Sequence, residues 1–213
     1  MQRQRVNHHS IDLAPCELWL RPHRFAHELM HLELECQAHE AGNRRTACLK
    51  SDLQDQLLKQ WESHRHGKWC VMQLFNQSLN VAQDLVVEQR LRCKFPILLS
   101  AQRLDLLQME EESAKHMQKP SDCPPDFTRA FRAFFGVSAL FTDELFDRCT
   151  RYFDSFQGTN EGKLALSFYE EIKSAFPTLG PGDHYQLVKC FAEITGFPRI
   201  HCWDPRPACE INN

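Results

Sequence analysis

A chain of 213 residues, 42% of them hydrophobic, has the material for one large domain or one and a half, and its formal net charge of −3 comes from acidic and basic residues that are interspersed. No basic stripe marks a nucleic-acid groove, since Gln2-Arg3-Gln4-Arg5 and Arg44-Arg45 read as solvated spots, and no apolar run approaches the ~18 residues that cross a bilayer. Neither nucleic acid nor a membrane is therefore an expected partner.

The 10 cysteines stand singly with no C-x-x-C, and the opening M-Q-R-Q-R-V-N-H-H carries no apolar signal core. Reduced cysteines in a cytoplasmic protein are expected, most of them acting as small buried hydrophobes. Residues 1–10 read as a frayed terminus, with His8 and His9 solvated, and Ile11-Asp12-Leu13 alternates as a short strand would.

The spacing predicts a helix over 22–41, where Phe25, Leu29, Leu32 and Cys36 recur at helical intervals, Pro22 suits a first turn and Gly42-Asn43 a stop. Inside it lies His27-Glu28-Leu29-Met30-His31. Histidines four apart share one helix face and can share a Zn²⁺, with Glu28 beside them as a general base for metal-assisted hydrolysis. A helix with two partly buried histidines is the plainer alternative, and a purely structural zinc site would fill its fourth position with another Cys or His rather than leave a glutamate there.

A second helix is predicted from Ser51-Asp52-Leu53-Gln54, through Leu57, Leu58 and Trp61. His64 and His66, spaced i, i+2, read as loop residues. The third helix, over 68–93 with Pro96 beyond it, has a broad apolar surface crossed by a polar stripe of Asn80, Asp84 and Glu88. Burying such a stripe costs several kcal/mol unless the carboxylates are paired or bind metal. Asp84 is the expected third metal ligand and Glu88 the alternative, the other of the two orienting a ligand histidine; a solvated face pairing with Arg90, Arg92 or Lys94 is the bland reading. Gln37 and Leu34 occupy the places where a metzincin would carry histidine and glycine, which excludes that arrangement, and His39 lies too far along the helix to join His27.

A further helix is expected over 97–117, then a connector K-P-S-D-C-P-P over 119–125. The remainder is phenylalanine-rich, with helices predicted over 126–135, 142–156, 162–176 and 183–195, its Phe residues filling a core, and an irregular tail around Trp203.

The stretch R-F-A-H-E-L-M-H, with I-D-L before it and N-V-A-Q-D-L-V-V-E-Q-R after it, resembles zincin metallopeptidases, of the ImmA/IrrE-like and related gluzincin-like families, over roughly 9–95. That resemblance implies a short sheet flanking the motif helix, His27 and His31 as zinc ligands, Glu28 as the base, and Asp84 or Glu88 completing the metal site. Gln83 stands where an N-x-x-E-D motif would have glutamate, and the stretch before the motif is short for the usual sheet. The expected fold is mainly α (α+β): a zincin-like helical metal-site core with a small or residual β-sheet over 1–118, and a C-terminal helical region over 119–213. The expected function is zinc-dependent hydrolysis of a protein or peptide substrate, with an oxyanion donor among His23, Arg90, His184 and Tyr185. The alternatives are a catalytically inactive zincin-like binding or regulatory module, and a fragment of a longer metallopeptidase.

Overall fold

The computed structural model describes residues 16–49, 51–117, 122–148, 150–195 and 201–204. The expected strand at 11–13 and the pair His8 and His9 lie outside them. Among the described residues the fold is mainly α: α1 (Arg21–Glu40), α2 (Ser51–Gln60), α3 (Gly67–Lys94), α4 (Leu99–Met117), α5 (Pro125–Leu145), α6 (Asn160–Ala175) and α7 (His184–Thr195). Two short strands, β1 (Thr46–Leu49) and β2 (His201–Asp204), pair antiparallel with Thr46 opposite Asp204 and Leu49 opposite His201. β2 corrects the expectation of an irregular tail, since its backbone groups find in β1 the partners that the local sequence does not supply. Among the described residues no helix is long and apolar enough to cross a membrane.

The centre of the bundle is α3, 28 residues and about 42 Å long. It packs against α1, α2, α5 and α7, and buries Val71, Leu74, Val81, Ala82, Leu85, Val86 and Leu91. Gly67 opens it because a Cβ there would stand 2.3 Å from the Trp61 carbonyl oxygen. The buried core is continuous from Met30 and Leu34 on α1, through α3, to Phe134 and Phe141 on α5, Phe168 on α6 and Val188 on α7, so helices on either side of the 119–125 connector share one interior. Phe127, Phe134, Phe141 and Phe156 are buried, in line with the core role expected of the phenylalanines.

Three local expectations are corrected. The apolar stripe of α1 does not face the core: Phe25 and Leu29 are exposed, and the buried side carries His23, Met30, Leu34 and Ala38. Periodicity finds a helix but not its orientation when the inward face is partly polar and its partners lie far away in sequence. Next, α5 continues past 135 to Leu145, because Gly136 is a point of close approach rather than a break; its Cβ would meet that of Ala165 on α6 at 2.8 Å. Finally, the helix expected over 142–156 does not form. Asp143 accepts hydrogen bonds from Thr150 Oγ1 at 2.6 Å and from the backbone N–H groups of Tyr152 and Phe153 at 2.7 and 2.9 Å, drawing the chain into a tight turn followed by a 3₁₀ turn over Tyr152–Phe156. In that turn Asp147, Arg148 and Arg151 all have φ between 54° and 62°, a left-handed conformation costing on the order of 1 kcal/mol or more per residue.

Candidate metal centre

One side of α1 presents His23, His27 and His31 at successive i, i+4 positions to a wall of carboxylates, Asp84 and Glu88 on α3 and Asp105 on α4. The spacing of four puts each set on one face, and the packing of α1 against both α3 and α4 brings the faces together.

The arrangement has a direction. At its buried end His23 lies between two carboxylates, Nδ1 at 2.9 Å from Asp105 and Nε2 at 3.0 Å from Glu88. Both ring nitrogens facing carboxylate oxygens requires both to donate, so His23 is an imidazolium. Asp105 also takes Arg24, whose Nε donates at 3.0 Å and whose Nη2 at 2.6 Å. Glu88 accepts from His23, from His27 Nδ1 at 2.7 Å and from Gln102 Nε2 at 2.6 Å. The two buried carboxylates are thus balanced by two cations and saturated with donors.

The exposed end is different. With Nδ1–H given to Glu88, His27 directs Nε2 toward His31 Nε2 at 3.0 Å, and the Asp84 Oδ1 lies 3.6 Å from the first and 3.2 Å from the second. Tetrahedral zinc with bonds of about 2.0–2.2 Å separates its ligand atoms by roughly 3.3–3.5 Å. Two imidazole nitrogens and one carboxylate oxygen in a triangle of edges 3.0, 3.2 and 3.6 Å fit that requirement in both chemistry and size. His23, His27 and Glu88 also bring one donor atom each within 4.8 Å of one another, but the atoms of His23 and Glu88 are already committed to the hydrogen bonds above. Glu88 instead does what a carboxylate behind a ligand histidine does: it fixes the ring and selects its tautomer.

The electrostatics agree with a site built for positive charge. Burial works against a charged His23, yet the hydrogen bonds and charges of Asp105 and Glu88 hold its pKa up at about 9; for His27, burial is likewise outweighed by Asp84 and Glu88, which push it up to about 10. Burial would raise Asp84 and Glu88, and the neighbouring histidines instead hold both below the ordinary carboxylate range. Any cation entering the triangle meets the same field that draws protons to these rings.

Of the residues singled out in the sequence, His27, His31, Asp84 and Glu88 come together here. Glu28 lies on the exposed side of α1 beside His31, and among the described residues no hydrogen bond or ion pair ties it to the cluster. Three of the residues considered as oxyanion donors are engaged elsewhere, His23 as above, Arg90 Nη1 donating to Gln37 at 3.1 Å and Tyr185 donating to Glu35 at 2.8 Å, and the fourth, His184, is buried away from the cluster with Nε2 3.6 Å from Glu35. His64 and His66 join neither metal-ligand group found among the described residues. Sequence reasoning missed Asp105, Gln102 and Arg24. The signal for the first two was faint, because α4 turns Gln102, Asp105 and Glu110 inward where its leucines had suggested an apolar face, while Leu104 is exposed.

Beside Asp84 and Glu88 opens a cavity of about 130 Å³ walled by Phe131, Phe134, Phe135 and Phe141 of α5 and Leu106 and Met109 of α4. An apolar cavity of that size holds one branched aliphatic or ring group. Comparison with protein-family models, with curated proteins and with solved structures finds no match to this chain, so a reading of its function rests on the donor set and its geometry.

Proposed function

We propose that this protein is a cytoplasmic zinc-dependent metallopeptidase whose zinc is held by His27, His31 and Asp84. The observation that carries the reading is the triangle of His27 Nε2, His31 Nε2 and Asp84 Oδ1 on an H-E-x-x-H helix, with the second nitrogen of His27 bound by Glu88. Three protein ligands leave the open position that distinguishes a catalytic from a structural zinc site. When bound, zinc supplies Lewis acidity toward a carbonyl oxygen and lowers the pKa of water at the site.

The chain's own residues do the rest. Glu28, on the solvent side of α1 next to His31, takes the proton from the attacking water and returns it to the departing amine. Glu88 keeps the His27 ring in the tautomer that leaves Nε2 free, and His23, Gln102 and Asp105 hold Glu88 in place. The phenylalanine-lined cavity beside Asp84 receives an apolar side chain of the peptide substrate.

A second reading, a zincin-like binding module that holds metal without catalysis, is favoured by one observation, the exposure of Glu28 without a partner among the described residues. Metal analysis of the wild type beside His27→Ala and Asp84→Ala, followed by a peptide-library screen of the zinc-loaded protein beside Glu28→Gln, tests both. One zinc per chain, lost in the first two variants, with cleavage that Glu28→Gln abolishes, supports the peptidase. Zinc without cleavage supports the module, and no zinc uptake overturns both.

A further inference from the structure

The sequence scatters its 10 cysteines singly, but the fold sets two of them opposite one another. β1 and β2 pair antiparallel, and in their register Cys48 is the partner of Cys202. Residues directly opposite in an antiparallel ladder lie on the same face of the sheet with Cα atoms about 4.5–5.5 Å apart, inside the separation of about 4.4–6.8 Å that a disulfide spans. Register alone therefore gives this pair the backbone geometry of a cross-strand bridge.

Two features give the position consequence. Among the described residues the sheet has only these two strands, each of four residues, and a two-stranded ladder by itself is marginally stable in water. The partners are also distant in the chain: a bond between them closes a loop of roughly 150 residues, and in the chain-entropy account a cross-link stabilises more the longer the loop it closes. Because β1 follows α1, such a bond ties the trailing end of the histidine helix to the far end of the described chain.

We propose that Cys48 and Cys202 form a reversible disulfide that locks β1 to β2 when the glutathione pool becomes oxidised. The thiolate of one cysteine attacks a sulfur of glutathione disulfide, breaking that S–S bond and releasing one glutathione. The thiolate of the other then attacks the protein sulfur of the mixed disulfide, forming the Cys48–Cys202 bond and releasing the second glutathione. The two protein thiols lose two protons and two electrons, and glutathione disulfide takes up both and leaves as two thiols. In a reducing pool the same exchange runs backwards. The proposal is independent of the metal site.

The experiment equilibrates the full chain, below its melting temperature, in glutathione buffers of rising oxidised fraction, blocks the remaining thiols with N-ethylmaleimide and maps the tryptic peptides by tandem mass spectrometry. Cys48 lies in the peptide 46–50 and Cys202 in the peptide 200–213, which also holds Cys209, so fragmentation of the linked peptides and a Cys209→Ser variant assign the bond. The expected result is a link from Cys48 to Cys202 that appears as the oxidised fraction rises, is lost on adding dithiothreitol and survives Cys209→Ser. It is also expected to raise the melting temperature by about 5–15 °C over that of Cys48→Ser in the same buffer. Cys48 and Cys202 remaining unlinked in glutathione disulfide alone overturns the proposal, as does a link from Cys48 to Cys209 or to any other cysteine in place of Cys202. A link that leaves the melting temperature unchanged overturns the lock. The mapping is read on the wild type, so the answer does not depend on the variants folding.

Discussion

His27 gives one ring nitrogen to the buried Glu88 carboxylate, 2.7 Å away, and turns the other toward His31, 3.0 Å away. The ring is thus the joint between a saturated, buried ion cluster and a solvent-facing donor triangle. A hierarchy of metal affinities follows. Asp84→Ala or His31→Ala, each removing a donor of the triangle, should abolish zinc binding, whereas Glu88→Gln, which disturbs only the support behind His27, should weaken it by about 10–100-fold. Competition with a chromophoric chelator measures both. Equal losses for Asp84→Ala and Glu88→Gln would mean that Glu88 is itself a ligand.

Asp105 accepts from both Arg24 and His23 at the buried end of the network. Asp105→Ala leaves two cationic side chains facing the space of one lost anion, and breaking a buried pair in this way costs about 3–5 kcal/mol. Urea unfolding of the two proteins at pH 7 should show that loss as a lower midpoint with an unchanged slope. A loss below about 1 kcal/mol would put the network in the class of exposed ion pairs.

Glu110 offers a pH signature away from the His27, His31 and Asp84 triangle. Burial pushes its carboxyl up to about 7; the Ser138 hydroxyl, donating at 2.5 Å, opposes that push and the Asp143 charge adds to it. The folded protein therefore keeps a proton that the unfolded chain releases near its ordinary value of 4.5. Between these two values stability falls as pH rises, and above about 7 the loss is complete. Glu110→Gln stays neutral throughout, so relative to wild type it should gain up to about 3 kcal/mol between pH 4 and pH 8. Unfolding of both proteins at the two pH values isolates the difference; the same gap at each pH would show that the carboxyl titrates normally.

At Gly136 and Ala165 helices α5 and α6 approach closely, with room for one methyl group and not two. Gly136→Ala should cost about 1–3 kcal/mol through overpacking, despite the better helix propensity of alanine. Adding Ala165→Gly should recover part of that loss, and a double-mutant cycle by thermal melting reads the coupling. Strict additivity would mean that the two helices part without penalty.

The helices were legible where the sequence carries its own punctuation. Pro22 and Gly42 bracket α1 and Phe95-Pro96 closes α3, so these two agree with their predicted ranges to within a residue, and Ser51 opens α2, which ends at Gln60, short of the stop expected near His64. The break after Leu145 was not legible, because it comes from a carboxylate, Asp143, binding backbone groups up to ten residues ahead, and no propensity encodes that capture. The same holds at the site. Asp84 and Glu88 announced themselves as a polar stripe on an otherwise apolar helix, a local contradiction that demands a partner. Asp105 and Gln102 sit on a helix with enough leucine to look ordinary, and only the packing of α4 against α1 shows which way they face.

The pairing of β1 with β2 sets an order of events. Thr46 lies directly beyond the helix that carries the histidines, yet its partner Asp204 is made more than 150 residues later. During synthesis α1 and α3 can meet early, but the strand that follows α1 lacks its partner until residues 201–204 have emerged. Closing so long a loop is among the slowest steps available to a chain of this size. The strand next to the histidine helix is thereby made well before its partner, and a ribosome-stalled chain ending before 201 would carry the helix bundle with that seam still open.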